Sequence, residues 1–341
     1  MSERQLQRDT WLRSVLQGRP ARLTTASEDA SFRRYFRVHL DGETRIVMDA
    51  PPPQEDCRPF VQVTRLLADA GVNVPVIYAA DLTQGLLLLS DLGERQYLHA
   101  LDEASADALY RDAIATLVLF QRDGDASSLP HYDRGRLLAE MRLFPQWFLA
   151  HHLGLAPDAR THDVLEHAFE LLAGACLEQP QVLVHRDYHS RNLMVTPAAC
   201  PGVLDYQDAV LGPAAYDLVS LLRDVYVCWP AARVARWVAQ HHALAGAAGV
   251  LPGVSLAAFT RWFDLCGVQR HLKVAGIFAR LYYRDGKDRY LADIPLTLRY
   301  LVQVAATHPE LAALTALLRE LDVAAGDAAA RSALPRAGAA R

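Results

Sequence analysis

The sequence holds no apolar run of the roughly 20 residues that a helix needs to cross a bilayer. Its first stretch, MSERQLQRDTWLRSVLQG, alternates charged and apolar side chains and has no core of a secretory signal. Those absences point to a cytoplasmic protein with no membrane partner. Cysteine is sparse: Cys57, Cys176, Cys200, Cys228 and Cys266 lie far apart and form no CxxC pair. Such spacing excludes the dense disulfide scaffold of a small secreted domain, and the thiols are read as reduced and serving packing. Positive charge is not in excess, since the formal net charge is -4 at pH 7. General nucleic-acid binding therefore has no support, and any basic site must be local. Internal repeats are missing as well.

What is present suffices for one large core or two modest ones: 341 residues, 51% of them hydrophobic. Up to Asp91 the short runs ARLTTA, YFRVHL, TRIVMDA and GLLLLSD are predicted to be strands. One segment among them, PFVQVTRLLADAG, is predicted to be a helix that ends in a suitable glycine. From Glu103 onward the apolar spacing is helical, as in ALYRDAIATLVLFQ, RLLAEMRLFPQWFLAHHL, DVLEHAFELLAGACL and LAAFTRWFDLCGVQRHLKVAGIFARLYY. The predicted division is a lobe of residues 1–91, a second lobe of residues 92–322 and a disordered Ala-rich tail, 323–341, with SDLGER as the hinge between the lobes. The pairs His151–His152 and His241–His242 are read as solvated helix ends. Trp147, Trp237 and Trp262 are read as core residues.

Within the helical half, VLVHRDYHSRNLMV is an island of strand character. It sets Asp187 two residues after His185, and Asn192 five residues further on. Phosphoryl transfer to an alcohol asks a protein to orient the nucleophile, accept its proton and neutralise phosphate charge through a metal ion. A carboxylate suits the proton, and an amide oxygen with a second carboxylate makes the hard donor set that Mg2+ prefers. That second carboxylate should follow on the next strand, and Asp205 stands there, in PGVLDYQDAVLGPAAYDLVSLL. H-x-D-x-x-x-x-N followed by a short strand and Asp reads as a kinase catalytic loop. His185 and His189 also have the i, i+4 spacing of a zinc-protease helix, but Arg186 occupies the place of the required glutamate and the preceding VLV is a strand.

The segments HRDYHSRNLM, LDYQDA and GPAAYDLVSLL resemble the aminoglycoside phosphotransferase and choline kinase family over about residues 20 to 300. More narrowly, SFRRYFRV, IVMDAPPPQEDCRPFV, LLLSDLG and GVQRHLKVAGIFARLYYRDGK resemble the bacterial anomeric sugar kinases that phosphorylate N-acetylmuramate and N-acetylglucosamine at C1 in cell-wall recycling. The resemblance implies an α+β, protein-kinase-like fold of two lobes, with a small N-terminal antiparallel sheet and a larger, mainly helical C-terminal part. ATP and Mg2+ would be the cofactors, a small amino sugar the substrate, and the chain would act as a monomer. Asp187 would be the catalytic base, Asn192 and Asp205 the metal ligands, and His185 and Asp217 structural supports of the loop. The hairpin from Ser27 to Arg34 would cover the ATP phosphates, although it lacks the glycines of protein kinases. Backbone groups of Ser90, Asp91 and Leu92 would meet adenine at the hinge.

One departure from the family pattern stands out. The third-strand lysine and its glutamate partner fall at Met48 and Phe60. Losing one charge of a buried pair is costly, whereas losing both can be nearly neutral. Arg33 or Arg34 is the candidate replacement cation. Arg270, Lys273 and Arg284 interleave with apolar residues on one predicted helix and are candidate contacts for a neutral or anionic substrate, such as the lactyl carboxylate of N-acetylmuramate. Aminoglycosides, as polycations, would need an acidic pocket instead. A kinase of another small alcohol (an aminoglycoside, choline or homoserine) and a non-catalytic pseudokinase are the alternatives.

Overall fold

The computed structural model describes residues 2–28, 32–323 and 326–328. In chain order the elements are α1 Glu3–Val15, β1 Arg22–Glu28, β2 Arg34–Leu40, β3 Glu43–Asp49, α2 Arg58–Asp69, β4 Ile77–Asp81, β5 Leu86–Ser90, α3 Tyr97–Ala100 and α4 Ala106–Asp123. Then come α5 Arg134–Met141, a π-helix over Phe144–His152, α6 Ala159–Leu177, β6 Gln181–Val184, β7 Leu193–Met194, β8 Gly202–Val203 and β9 Val210–Pro213. Helices α7 Tyr216–Leu222, α8 Ala231–Ala247, α9 Leu256–Tyr283, α10 Ile294–Ala305 and α11 Ala312–Glu320 follow. The chain divides into two compact units, Met1–Ala113 with Arg191–Ala209, and Ile114–Ser190 with Val210–Arg341. No single helix among the described residues is long and apolar enough to cross a membrane.

The first unit is built on a five-stranded antiparallel sheet in the order β1–β2–β3–β5–β4. Leu12 of α1 and Leu16, which caps its C-terminus, cluster with Val38, Val47 and Leu88 of the sheet. Helix α1 starts at a capping box in which Ser2 and Gln5 each satisfy the other's backbone N–H. Its alternation of charged and apolar residues is not assigned to a helix in the sequence, and in the structure Leu12 supplies its buried apolar contact. Strand β4, also unread in the sequence, is an edge strand whose Val76 and Tyr78 region stays exposed.

Segment 191–209 counts with this unit because its hairpin, β7–β8, is bonded to it. Val195 N–H donates to Arg95 O and Val203 N–H to Asn73 O, each at 2.8 Å, while Gln96 Nε2 donates to Arg191 O at 2.9 Å. The compact units therefore count 92–113 and 191–209 with the sheet, where the sequence division ran 1–91 and 92–322.

In the second unit the long helix α9 is buried almost all round from Leu265 to Ala279, as expected of a helix at the centre of a helical core. The segment 136–153, which reads as one helix, is instead α5 followed by the π-helix. Pro145 removes a backbone N–H and crowds the carbonyl four residues back, so the α-helical ladder cannot continue through it. Gly276 of α9 lies against this break: a Cβ there would sit 2.4 Å from the Leu143 carbonyl carbon. Glycine thus fixes how closely α9 and the end of α5 approach.

Some polar residues read as solvated are inside. His152 is buried and its Nε2 lies 2.9 Å from Asp327 Oδ1, so part of the segment expected to be a disordered tail, Val323 and residues 326–328, is described, and Val323 and Asp327 are buried. The rest of that tail lies outside the described residues. His241 is also buried, bonded to Gln121 and stacked on Phe259. His151, in contrast, is exposed. Of the three tryptophans, Trp237 is buried, while Trp147 and Trp262 are half-buried, the last donating to Glu178 Oε1 at 2.6 Å.

Candidate active site

The residues singled out in the sequence divide between the units: His185, Asp187, Asp217, Arg270, Lys273 and Arg284 belong to the second, and Arg33, Arg34, Ser90, Asp91, Leu92, Asn192 and Asp205 to the first.

In the second unit, β6 pairs with β9 and delivers the chain to the loop beginning at His185. Asp217, in the first turn of α7, accepts backbone N–H bonds from His185 at 2.6 Å and from Arg186 at 2.8 Å. Burial pushes the Asp217 carboxyl up to about 6, so it is ionised at neutral pH and can accept both bonds. The Nδ1 of His185 accepts the Asp187 N–H at 3.3 Å, and the ring stands edge-on to Tyr188. Arg186 has a φ of +78°, a left-handed conformation that an ordinary residue adopts only when its surroundings hold it there. At the far end of the loop, Asp224 accepts Ser190 N–H and Tyr226 N–H, each at 3.0 Å.

Asp187 itself keeps 45% of its side-chain surface accessible, and Arg270 Nη2 approaches its Oδ1 to 4.0 Å. Crowding by the protein raises the pKa of this carboxyl, but Lys273, His189, Arg186 and Arg270 outweigh it and hold the value down to about 2. The group is therefore ionised at any working pH. Arg270 is buried, and its Nη1 has no hydrogen-bond partner among the described residues. Lys273, also buried, lies 3.2 Å from Glu140 Oε2 and donates to Tyr216 OH at 3.1 Å. Arg284 stands apart from both: it caps the C-terminus of α9, is 55% exposed and pairs with its neighbour Asp285. Its position in sequence is helical, yet the helix has ended there, and the guanidinium is left in solvent.

In the first unit, Asn192 Nδ2 lies 3.4 Å from Asp205 Oδ2, and Leu204 N–H donates to Asn192 O at 2.9 Å. Asp205 adopts φ +62°, in the left-handed region. Its Oδ1 accepts Gln207 Nε2 at 2.8 Å and faces Arg33 Nη2 at 3.6 Å. An amide oxygen and a carboxylate are hard donors of the kind that Mg2+ prefers, and Asn192 and Asp205 are the side chains that could supply them. Among the described residues there is no group of three or more His, Cys, Asp or Glu side chains that could hold a metal ion by themselves.

Arg33 and Arg34 part company. Arg33 is 11% exposed and turned to Asp205, whereas Arg34 opens β2 and is exposed. Residues 29–31 of the predicted phosphate-covering hairpin lie outside the described residues. Met48 and Phe60 are buried apolar residues, and Phe60 stacks on Tyr206 with ring centroids 5.0 Å apart. Thr64, one turn along α2, bonds the Tyr206 hydroxyl at 2.9 Å. Where a lysine and glutamate would have tied this helix to the nucleotide, an aromatic stack ties it to the residue after Asp205. Nothing in the local sequence pairs Phe60 with Tyr206, which lie far apart in the chain, so the contact was not legible.

The segment expected to be the hinge lies within the first unit, where Ser90 Oγ accepts Val76 N–H at 2.8 Å. Asp91 takes Arg37 Nε at 2.6 Å and Gly93 N–H at 2.9 Å. Both side chains are spent on bracing the local backbone.

A model of the phosphotransferase enzyme family matches residues 22–262. An N-acetylmuramate/N-acetylglucosamine kinase of Pseudomonas aeruginosa is 51% identical over 302 residues, covering 89% of this chain and 89% of its own. Among solved structures, the choline kinase LicA from Streptococcus pneumoniae is similar with a TM-score of 0.63 at 13% identity, covering 89% of this chain and 100% of its own. The ADP-bound aminoglycoside phosphotransferase APH(2'')-Ib gives 0.59 at 15% identity, with 87% and 98% covered. At those identities the likeness shows the fold alone, which in this chain is an α+β arrangement with a five-stranded antiparallel sheet and a helical remainder.

Proposed function

Starting from the phosphotransferase enzyme family, to which this chain belongs, we propose that it transfers the γ-phosphoryl group of ATP to the anomeric C1 hydroxyl of N-acetylmuramate and N-acetylglucosamine, a step of cell-wall amino-sugar recycling in the cytoplasm. The observation that carries the choice of acceptor is the buried guanidinium of Arg270, 4.0 Å from Asp187. A polycationic aminoglycoside or the quaternary ammonium of choline would gain nothing from it. A neutral or anionic sugar is compatible with it. Half-identity to a sugar kinase along nearly the whole chain supports the same reading. A pseudokinase has no use for a carboxylate kept ionised on a braced loop.

In this scheme Asp187 orients the anomeric hydroxyl and takes its proton as the phosphoryl group leaves ATP. A carboxyl with a pKa of about 2 is a weak base, so its main contribution is alignment, with the proton moving late. Asn192 and Asp205 would hold Mg2+, which when bound neutralises charge on the phosphates. Arg33 replaces the absent strand lysine as a phosphate cation, and the hinge backbone from Ser90 to Leu92 receives adenine. Release of ADP measured against N-acetylmuramate, N-acetylglucosamine, choline, homoserine and an aminoglycoside tests the proposal. Turnover confined to the two sugars is expected, and choline or aminoglycoside as the better acceptor would overturn it.

Arg270 gives a sharper test of how the two sugars differ. Its guanidinium, whose Nη2 lies 4.0 Å from Asp187 Oδ1, is the candidate partner of the lactyl carboxylate, which N-acetylglucosamine lacks. Arg270→Met keeps an apolar stem and removes the charge. The ratio of kcat/KM for N-acetylmuramate over N-acetylglucosamine is expected to fall by roughly 10- to 100-fold, the worth of a charged hydrogen bond of about 1.5–3 kcal/mol. An unchanged ratio, with both sugars slowed alike, would show that the carboxylate is read elsewhere.

A further inference from the structure

Glu140 takes no part in that scheme, yet three donors converge on it. Arg186 Nη2 reaches its Oε1 at 2.5 Å, Lys273 Nζ reaches Oε2 at 3.2 Å, and the Tyr132 hydroxyl donates to Oε2. Each donor leads back to the loop. Arg186 immediately precedes Asp187 and holds the left-handed backbone. Tyr132 and Lys273 both bond the hydroxyl of Tyr216, at 3.2 and 3.1 Å, and Tyr216 precedes Asp217, the acceptor of the loop's two N–H groups. The approach of α5 to α9 is set by backbone: Leu143, three residues past Glu140, meets Gly276, three residues past Lys273. Lys273 is one of only two lysines in a chain that otherwise uses arginine for its basic residues. Burial opposes charge on Glu140, but Lys273 and Arg186 outweigh it and keep the carboxyl below its usual range.

We propose that Glu140 is a positioning residue of the catalytic loop: by holding Arg186 and Lys273 together it locks the turn at Arg186 and so sets the direction in which Asp187 presents its carboxylate. The proposal rests on Asp187 being the base. Glu140 makes no use of substrate contact, so its loss should appear in kcat and not in KM.

Glu140→Gln keeps the side-chain shape and removes the charge. Measured on the full chain with N-acetylglucosamine, kcat is expected to fall by roughly 10- to 100-fold, the scale of a small misplacement of a reacting group. KM for ATP and for the sugar should stay within about twofold of wild type, and ADP affinity from calorimetry should be unchanged, which also reports that the protein is folded. A purely structural role predicts the reverse, a lower Tm with wild-type kcat per folded molecule, and that result overturns the proposal. Because the single change leaves Lys273 as an uncompensated buried cation, Glu140→Gln/Lys273→Met is the second variant. It removes both charges, is expected to recover Tm, and should remain slow because Arg186 still lacks its Glu140 carboxylate; recovered kcat would count against the proposal. Asp187→Asn, assayed alongside, separates the two ideas. An active Asp187→Asn variant removes the base, and with it the reason for positioning. An inactive one beside a fully active Glu140→Gln variant removes only the role of Glu140.

Discussion

Asp187→Asn is expected to lower kcat by about 100- to 10,000-fold while ATP still binds with nearly wild-type affinity. The substitution preserves size and backbone, and the bracing of the loop by Asp217 and His185 runs through main-chain N–H groups that asparagine leaves in place. What disappears is the proton acceptor and the negative charge that Arg270 and Lys273 face. Because the carboxyl is held near 2, it is already ionised wherever the enzyme is assayed, so the loss should be a uniform drop and not a displaced pH profile. Steady-state rates with a nucleotide titration measure it. A variant retaining more than about half of wild-type turnover would take Asp187 out of the chemistry, since a base in the transition state contributes far more than that.

Changes at Asp205 should fail differently. Asp205→Ala is expected to cost roughly 100- to 1,000-fold in kcat, the scale seen when a fixed electrostatic contact to a developing charge is removed. It should also abolish the dependence of nucleotide affinity on Mg2+. Asp205 is a carboxylate beside Asn192 and also the counter-charge of Arg33 at 3.6 Å, so its removal leaves a largely buried guanidinium without that partner. Alanine is in addition strained at φ +62°, where asparagine is tolerated better. Asp205→Asn is therefore the companion variant, because it keeps the turn and removes only the charge. Calorimetric titration of ADP with and without Mg2+ decides the matter. If the two variants still bind nucleotide in a Mg2+-dependent way, Asp205 is not a metal ligand.

The sequence made some of this visible and hid the rest for physical reasons. The loop from His185 to Asn192, the short strand after it and Asp205 form one local run, and local order constrains where backbone can put those side chains. The strands β1, β2, β3 and β5 alternate or are continuously apolar, so their pattern is plain. Helix α1 sets its few apolar residues among charged ones, so no helical stripe stands out although Leu12 is buried against the sheet. The π-helix arises from a proline inside an otherwise good helical pattern, and periodicity does not distinguish a break from a continuation. Glu140 lies in an amphipathic helix with the look of a surface acid, and only the tertiary approach of α5 to α9 encloses it with Arg186 and Lys273. Arg270, Lys273 and Arg284 share a helical spacing, but the helix end at Tyr283 puts the last of them in solvent. His152 and Asp327 show the same limit: each is polar and unremarkable in sequence, and each is buried because the other compensates it.

The position of the phosphate on the product tests the central claim most directly. Purified chain, ATP and Mg2+ would be incubated with N-acetylmuramate, and the product examined by phosphorus NMR together with an assay for reducing sugar. Transfer to the anomeric hydroxyl should give a phosphate coupled to the proton on C1 and should consume one reducing end for each ADP released. A phosphate on any other hydroxyl, with the reducing end intact, or no sugar phosphate while ATP is consumed on choline or an aminoglycoside, would contradict it.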